Sequence, residues 1–213
     1  MNYVERLDSI DSKPYLFSYR RCPYAMRARM ALVESNIEFD IYEISLRNKP
    51  PEMLAISQKG TVPILKFNQL VLDESLEIMK WAYQRDKSSQ SFFLKIEDKK
   101  IADGLITIND GEFKKSLDCY KYFERYPDKS IAEHRENCYF FLNILEERLQ
   151  STSFLIGDKR TYVDICIFPF IRQFMNIDKE WFDSSEYKRV RKWLSLLIKS
   201  DLFKKVMIKS KLS

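Results

Sequence analysis

Histidine and cysteine are scarce in this chain, and neither shows the spacing of a metal site. The 213 residues include one histidine, His134, and four cysteines, Cys22, Cys119, Cys138 and Cys166, which are dispersed along the sequence. A zinc site needs about four such ligands, usually in closely spaced pairs, so we expect no metal centre. In a reducing compartment we expect four free thiols.

Long apolar runs are also missing. No stretch approaches the roughly 20 apolar residues of a membrane-spanning helix, and residues 1–6 lack the apolar segment of a signal peptide. These absences predict a cytoplasmic protein that does not contact a membrane. The 45% hydrophobic and 14% aromatic content argues against disorder, and a chain of this length can form one large core or two small domains.

Neither sign of charge dominates the chain, although its net charge is +5 and its pI is near 8.9. The 36 basic residues are interleaved with 31 acidic ones, which indicates a solvated surface, and we expect no nucleic-acid partner. The basic residues close to Cys22 in the sequence are Arg20, Arg21, Arg27 and Arg29. Their charge is suited to steering small anions toward that cysteine.

Cys22 is the predicted nucleophile, because it stands where a strand gives way to a helix. The motif Cys22-Pro23-Tyr24-Ala25 follows the apolar run 15–19 and opens an amphipathic segment. Free N–H groups and the positive end of the dipole at a helix start favour thiolate, as do adjacent cations. Ala25 replaces the second cysteine of a C-x-x-C pair, so we expect monothiol chemistry through a mixed disulfide. A buried structural cysteine is the alternative.

The segment 12–85 shows the alternation of a small α/β unit. Its apolar patterns predict strands at 15–19, 38–44, 64–67 and 70–72 and helices at 23–34, 51–56 and 75–85. This order predicts a thioredoxin-like N-terminal domain with a mixed four-stranded sheet.

Beyond residue 85 the apolar residues recur at helical spacing. The polar segment 86–91 is the predicted linker, and 92–213 is the predicted all-helical C-terminal domain, so the fold class is α/β plus all-α. The predicted helices are 94–123, 130–150, 162–175, 186–200 and a short one near the C-terminus. Thr161 and Asp164 match a capping box before a strongly apolar run, which predicts a central, buried helix.

Three further features of the α/β unit suit a peptide ligand. If the Val62-Pro63 bond is cis, the turn exposes backbone groups of Val62 that can pair with an extended peptide. Glu74 and Ser75 begin the following helix, where a carboxylate can hold an ammonium and a hydroxyl with free N–H groups can hold a carboxylate. Lys49 is suited to a terminal carboxylate. Glutathione, with a thiol between an amino-acid end and a second carboxylate, fits this description.

The chain resembles the cytosolic glutathione transferases, and within them the cysteine-type branch that includes the omega class and its bacterial relatives. The resemblance extends from about residue 15 to about residue 202. It rests on the motifs Cys22-Pro23-Tyr24-Ala25, Lys49-Pro50, Gly60-Thr61-Val62-Pro63-Ile64-Leu65, Asp73-Glu74-Ser75 and Thr161-Tyr162-Val163-Asp164.

This resemblance implies roles for individual residues. Cys22 would be the catalytic thiol with Tyr24 beside it, and Pro63 would follow a cis bond. The residues implied to contact glutathione are Leu46, Lys49, Val62, Glu74 and Ser75. A homodimer is implied, as is an open acceptor site with a wall from the second domain. The aromatic candidates for that wall are Phe113, Tyr120, Phe170 and Phe174.

The expected function is a glutathione-dependent thiol transferase or reductase. Cys22 would form a mixed disulfide with glutathione while reducing a glutathionylated substrate or an oxidised small molecule. A reductive dehalogenase or a reductase of glutathionyl adducts would use the same cysteine. The alternative of another class is a non-catalytic, transferase-like binding or regulatory protein.

Ordinary structural roles are expected for the other chemically active side chains. Cys119, Cys138 and Cys166 fall in helical patterns and are interpreted as inert core residues. His134 is interpreted as a surface residue of a helix. Arg27 and Arg29 are interpreted as solvated or inter-domain side chains, with pKa tuning as a secondary role. Structural alternatives exist at two proposed binding positions. Glu74 and Ser75 can be a plain helix start, and Lys49 can be a surface lysine.

Overall fold

The structure, a computed structural model, describes residues 1–4, 13–86 and 94–209. The chain divides into two compact units, the first made of Met1–Ser89 with Ser200–Ser213 and the second of Gln90–Lys199. The predicted helical domain, 92–213, differs from this division at its C-terminal end, because helix α11 (Asp201–Val206) packs on the first unit. Of the predicted linker 86–91, only Asp86 lies within the described residues.

A mixed five-stranded sheet forms the centre of the first unit. Its strands are β1 (Asn2–Tyr3), β2 (Tyr15–Ser18), β3 (Asp40–Glu43), β4 (Ile64–Phe67) and β5 (Leu70–Leu72). They lie in the order β1-β3-β2-β4-β5, with β3 parallel to both neighbours and β4 antiparallel to both of its own. The prediction of four strands was therefore wrong by one. A strand as short as β1 shows no alternating pattern by which the sequence could reveal it.

Helices α1 (Pro23–Glu34), α2 (Pro51–Ile56) and α3 (Ser75–Arg85) begin and end where the sequence predicts. Both α1 and α2 start with a proline at the first helical positions, where the fixed φ suits the helix and the missing N–H costs nothing. The chain leaves α1 through Asn36, whose φ of +52° is the left-handed conformation that ends many helices. α1 packs against α3 and against α11.

The interpretation of Arg27 and Arg29 as solvated side chains was wrong, because both are fully buried. The eight consecutive residues Ala25 to Leu32 are all buried, so α1 has no solvent-facing side over this stretch. Each arginine instead reaches a polar group inside the first unit. Nη1 of Arg27 lies 3.5 Å from the Ser75 hydroxyl, and Nη2 of Arg29 donates to the carbonyl of Arg20 at 2.6 Å.

The regular elements in the described part of the second unit are all helical. Its helices are α4 (Ile96–Ile108), α5 (Lys114–Lys121), α6 (Ile131–Glu136), α7 (Tyr139–Arg148), α8 (Tyr162–Met175), α9 (Lys179–Ser184) and α10 (Lys188–Lys199). A π-helical turn, Asn109–Phe113, joins α4 to α5, and a 3₁₀ turn, Phe123–Arg125, follows α5. The helix predicted over 130–150 is broken between α6 and α7. α9 was not predicted, because six residues are too few to show a helical period.

Buried aromatic and histidine side chains correct two further interpretations. Phe113, Tyr120 and Phe174 pack together, with ring centroids 6.4 Å apart for Phe113–Phe174 and 5.4 Å apart for Tyr120–Phe174. These rings and Phe170 are at most 1% exposed, so they are core residues and not the wall of an open pocket. His134 is also buried, with Nε2 2.9 Å from the Tyr126 carbonyl oxygen, and is not a surface residue.

Asp164 anchors α8, and the predicted capping box is confirmed. Its carboxylate accepts hydrogen bonds from the backbone N–H of Thr161 at 2.8 Å and that of Leu155 at 3.0 Å. The indole N–H of Trp193 adds a third bond, at 2.8 Å. Burial raises the pKa of Asp164, while these donors favour the carboxylate and oppose the rise. One buried acid thus ties together the loop before α8, the start of α8 and α10.

No helix in the described ranges is both long and apolar enough to cross a lipid bilayer.

We expect Asp164→Asn to lower the free energy of unfolding by about 2 kcal/mol or more, because the amide nitrogen would face a buried N–H donor. The matched control is Glu133→Gln in the second capping box, Ser130–Glu133, which lies on the surface. That substitution keeps an acceptor oxygen in water, so little change is expected. Urea unfolding followed by tryptophan fluorescence measures both, and equal effects would contradict a special role for the buried cap.

Candidate active site

Cys22 occupies the N-cap of α1 and is partly exposed. Its backbone N–H donates to the Tyr19 carbonyl at 2.9 Å, and its own carbonyl accepts from the N–H of Met26 at 2.9 Å, the first bond of the helix. The thiol therefore stands at the positive end of the helix dipole. This is where the sequence predicts the nucleophile, and the half-buried, helix-terminal setting is typical of reactive cysteines.

Val62-Pro63 lies beside this thiol. The peptide bond between these residues is cis, as expected. Sγ of Cys22 is 3.7 Å from the carbonyl oxygen of Val62, which is 40 residues away in the sequence. The antiparallel pairing of β2 with β4, in which Phe17 is opposite Ile64, brings the two segments together. Cys22 also packs against the apolar cluster that contains Val62.

Glu74 and Ser75 begin α3, the neighbour of α1. Glu74 is the exposed N-cap residue, and Ser75 is the buried first residue of the helix. Arg27 connects this helix start to α1 through its contact with the Ser75 hydroxyl, and its guanidinium also lies 5.4 Å from the ring centre of Tyr24. Tyr24 is half-buried in the first turn of α1, two residues after Cys22.

Lys59 is a residue of this region that the sequence analysis missed. Its Nζ lies 2.6 Å from a Glu74 carboxylate oxygen and 2.9 Å from one of Asp73. The pKa of Lys59 is raised by these two hydrogen-bonded carboxylates, and the pKa of Asp73 is lowered by Lys59 and then by the hydroxyl of Ser57. The only sequence signal was a basic residue directly before Gly60-Thr61. Nothing in the sequence showed that an ammonium would already contact Glu74.

Lys49 and Leu46 lie in the exposed loop between β3 and α2, which contains a bridge from Ser45 to Asn48. Nζ of Lys49 lies close to Gly60, two residues before Val62, because a Cβ built on Gly60 would be 3.5 Å from it. Gly60 also has a φ of +58°, which favours glycine. Leu46 is 52% exposed, as suits a surface contact, and remains a prediction.

The three other cysteines have different surroundings. Cys138 is buried, and burial raises the pKa of its thiol to about 12, with a smaller contribution from nearby Cys119. Cys166 is buried in α8. Cys119 is partly buried in α5. Among the described residues, no group of histidine, cysteine and acidic side chains is arranged to hold a metal ion.

Comparison with known proteins matches both parts of the chain to one family. Residues 16–90 match the family model described as glutathione S-transferase, N-terminal domain, and residues 128–195 match the model of the corresponding C-terminal domain. The two matched segments together make up more than half of the chain.

Individual proteins agree with the models. Glutathione S-transferase U28 of Arabidopsis thaliana is 28% identical over 178 residues, covering 79% of this chain and 76% of that protein. Glutathione transferase omega-1 of Caenorhabditis elegans is 22% identical over 213 residues, covering 90% and 79%. A glutathione transferase family member from Pseudomonas fluorescens, crystallised with two glutathione bound, shares the fold with a TM-score of 0.79, 15% identity and 92% coverage of each chain.

We expect iodoacetamide at neutral pH to alkylate Cys22 before the other cysteines, because it alone combines partial exposure with a helix start. Cys138 and Cys166 should react only after unfolding. Peptide mapping by mass spectrometry over a time course gives the order of labelling. Labelling of Cys119 ahead of Cys22 would contradict the assignment of the reactive thiol.

Proposed function

This chain belongs to the glutathione S-transferase family, and we propose that it acts as a glutathione-dependent thiol transferase or reductase with Cys22 as nucleophile. The observation that supports this most directly is the position of the Cys22 thiol. It lies at the start of α1, 3.7 Å from the carbonyl of the Val62 that precedes a cis proline. A thiol here is beside the backbone groups that would align a peptide ligand.

Glutathione is the proposed cosubstrate, and each of its groups is assigned to one or two of the candidate residues. Backbone groups of Val62, held in place by Pro63, would pair with the cysteinyl unit of glutathione as an added strand does. Glu74 and Ser75 would hold the γ-glutamyl end, and Lys49 would hold the terminal carboxylate. Tyr24 and Leu46 are proposed as flanking contacts.

The proposed reaction is a pair of thiol–disulfide exchanges. The Cys22 thiolate attacks the glutathione sulfur of a glutathionylated substrate, and a Cys22–glutathione disulfide forms as the substrate disulfide breaks. The substrate sulfur leaves with the bonding electrons and takes up a proton. A second glutathione, as thiolate, then attacks the glutathione sulfur of the mixed disulfide, which releases Cys22 and yields oxidised glutathione. The net reaction converts the glutathionylated substrate and one reduced glutathione into the free substrate thiol and oxidised glutathione.

A cysteine at this position favours exchange over simple conjugation. Conjugation requires that glutathione keep a free thiolate, which a neighbouring hydroxyl can stabilise by a hydrogen bond. A thiol at the same place competes by forming a disulfide with glutathione. This argument supports placing the chain in the cysteine-type, omega-like branch of the family. Family membership also leads us to expect a homodimer in the cytoplasm.

A second candidate function is a non-catalytic binding or regulatory protein, and one observation favours it. Lys59 already places an ammonium against Glu74, the carboxylate proposed for the ammonium of glutathione. If glutathione cannot displace Lys59, the site does not bind glutathione. The contact is exposed, and exposed ion pairs contribute little free energy, so displacement should be easy and the catalytic proposal is preferred.

We expect Cys22→Ser to abolish thiol transfer. Wild-type protein incubated with oxidised glutathione should gain one glutathione adduct by intact mass, and reduced glutathione should remove it. The Cys22→Ser variant should gain none. Cys119→Ser, which removes another partly buried thiol, is the matched control and should behave as wild type. Unchanged reductase activity in Cys22→Ser would sink the proposal.

We expect Glu74→Gln to weaken glutathione binding about tenfold, because a bond between an ammonium and a carboxylate is lost. Isothermal titration calorimetry on the Cys22→Ser background measures binding without exchange. Glu77→Gln, on the exposed side of the same first turn of α3, should leave the affinity unchanged. Equal affinities in all three proteins would remove Glu74 from the site, and no binding in any of them would favour the non-catalytic alternative.

A further inference from the structure

The turn that presents Cys22 is clamped from inside the protein. The Cys22 N–H closes the turn on the Tyr19 carbonyl, and Arg20 is one of its two central residues. Both backbone polar groups of Arg20 are bonded to side chains. Its N–H donates to a carboxylate oxygen of Glu43 at 2.5 Å, and its carbonyl accepts from Nη2 of Arg29 at 2.6 Å. The position of the turn thus depends on these two side chains.

Arg29 reaches this turn because of the geometry of α1. It lies seven residues after Cys22, which is about two helical turns, so both residues share one face. Long side chains on a helix lean toward its N-terminus, and this brings the guanidinium under the turn. The Arg29 side chain is 0% exposed, so its charge is shielded from solvent.

Glu43, the last residue of β3, only partly balances this charge. Its second carboxylate oxygen is 4.0 Å from Nη1 of Arg29, beyond hydrogen-bond distance. Within the described residues, Nε and Nη1 of Arg29 are buried and lack a well-formed hydrogen bond, although the Tyr3 side chain also interacts with the guanidinium. A buried positive charge whose partner stands this far away exerts a strong field on other groups nearby.

Cys22 is one of the groups in that field. Burial lowers the pKa of Arg29, and the opposing interactions that raise it come from Glu43, Tyr3 and Cys22. Electrostatic coupling is reciprocal, so the guanidinium favours the thiolate form of Cys22 as the thiolate favours the guanidinium. Burial likewise raises the pKa of Glu43, and its bonds to Arg20 and Arg29 lower it again.

We propose that Arg29 is a positioning residue for Cys22. It holds the turn through the Arg20 carbonyl and supplies a buried positive charge that keeps the Cys22 thiol ionised, while Glu43 moderates that charge. The catalytic part of this inference rests on the proposed function. The effect on the ionisation of Cys22 does not, because it requires no glutathione.

The other charged groups near Cys22 are less suited than Arg29 to stabilise its thiolate. Among the described residues, the charged or titratable groups on the elements packed around Cys22 include Tyr19, Arg20 and Arg21 of the turn, Tyr24, Arg27 and Arg29 of α1, Tyr15 of β2, Tyr42 and Glu43 of β3 and Tyr3 of β1. Arg21 is exposed and bonds to the Tyr19 hydroxyl, so water screens its charge. Arg27, the other buried arginine of α1, is directed to Ser75.

The test is the pH dependence of Cys22 alkylation by iodoacetamide in the full-length protein, read by peptide mass spectrometry. Arg29→Met should move the midpoint to higher pH by about one unit or more. Glu43→Gln should move it to lower pH, because the amide oxygen can still accept from Arg20 while the negative charge is gone. If Arg29 and Glu43 had only a structural role, the two variants would shift the alkylation midpoint in the same direction or not at all. Either result would overturn the proposal.

Two more variants guard against misfolding. Arg29→Met leaves Glu43 without its partner, whereas the double variant Arg29→Met with Glu43→Gln removes both charges at similar volume, a change that buried ion pairs often tolerate. Its alkylation midpoint should lie between those of the two single variants, because it loses both the positive and the negative charge. Arg29→Lys keeps the charge and should recover part of the shift. A double variant that folds but whose midpoint does not lie between those of the two single variants would exclude the charge effect.

The outcome is separable from that of the proposed function. If wild-type protein forms no glutathione adduct but the two single variants shift the midpoint in opposite directions, thiol transfer fails and the role of Arg29 stands. If the adduct forms and the midpoints do not move, Cys22 is the nucleophile and Arg29 does not tune it.

Discussion

The antiparallel pairing of β2 with β4 is the interaction on which the chemistry of the first unit depends. β2 leads directly into the turn before Cys22, and β4 begins one residue after the cis bond at Val62-Pro63. With Phe17 opposite Ile64, the ends of the two strands that carry these features meet at the same edge of the sheet. A slip of one residue would turn the inward side chains outward. The apolar core that fixes this register therefore also fixes the distance between the thiol and the Val62 carbonyl.

Each of the two units contains a buried charged side chain, but the two charges are paired to different extents. In the first unit Arg29 lies under the turn before Cys22, and its nearest carboxylate partner, Glu43, is not in full contact. In the second unit Asp164 is saturated by donors from three segments. A saturated buried charge holds a structure rigidly, whereas a partly paired one retains a field that acts on its neighbours. This contrast separates an acid that supports the fold from an arginine suited to support chemistry.

The elements that local signals define were predictable from the sequence. Pro23 and Pro51 mark helix starts, and the capping pair at Thr161 and Asp164 marks another, because each signal acts within one turn of backbone. The position of Cys22 followed from the strand-to-helix pattern around it, whereas the cis bond at Val62-Pro63 was implied by the family resemblance. The roles that the family resemblance assigns to Leu46 and Lys49 remain predictions.

The sequence did not reveal contacts between residues far apart in the chain, or the burial of side chains whose polarity suggests exposure. The ion pairs of Lys59 with Asp73 and Glu74 form across 14 and 15 positions, and no local pattern encodes them. Arg29 looks like a surface residue by type, and only the packing of other elements around α1 buries it. β1 and α9 are too short for any periodicity. In each case the missing information is the tertiary environment and not the residue's own preference.

The backbone at position 22 is held by atoms that every amino acid except proline possesses. The turn closes through the N–H of this residue, the first helical bond uses its carbonyl, and Pro23 sets the direction of the helix. The fold at this position therefore depends little on which side chain residue 22 carries. Such a position can exchange one nucleophile for another during evolution while the scaffold stays intact, so a family built on this architecture can change its reaction by replacing a single atom.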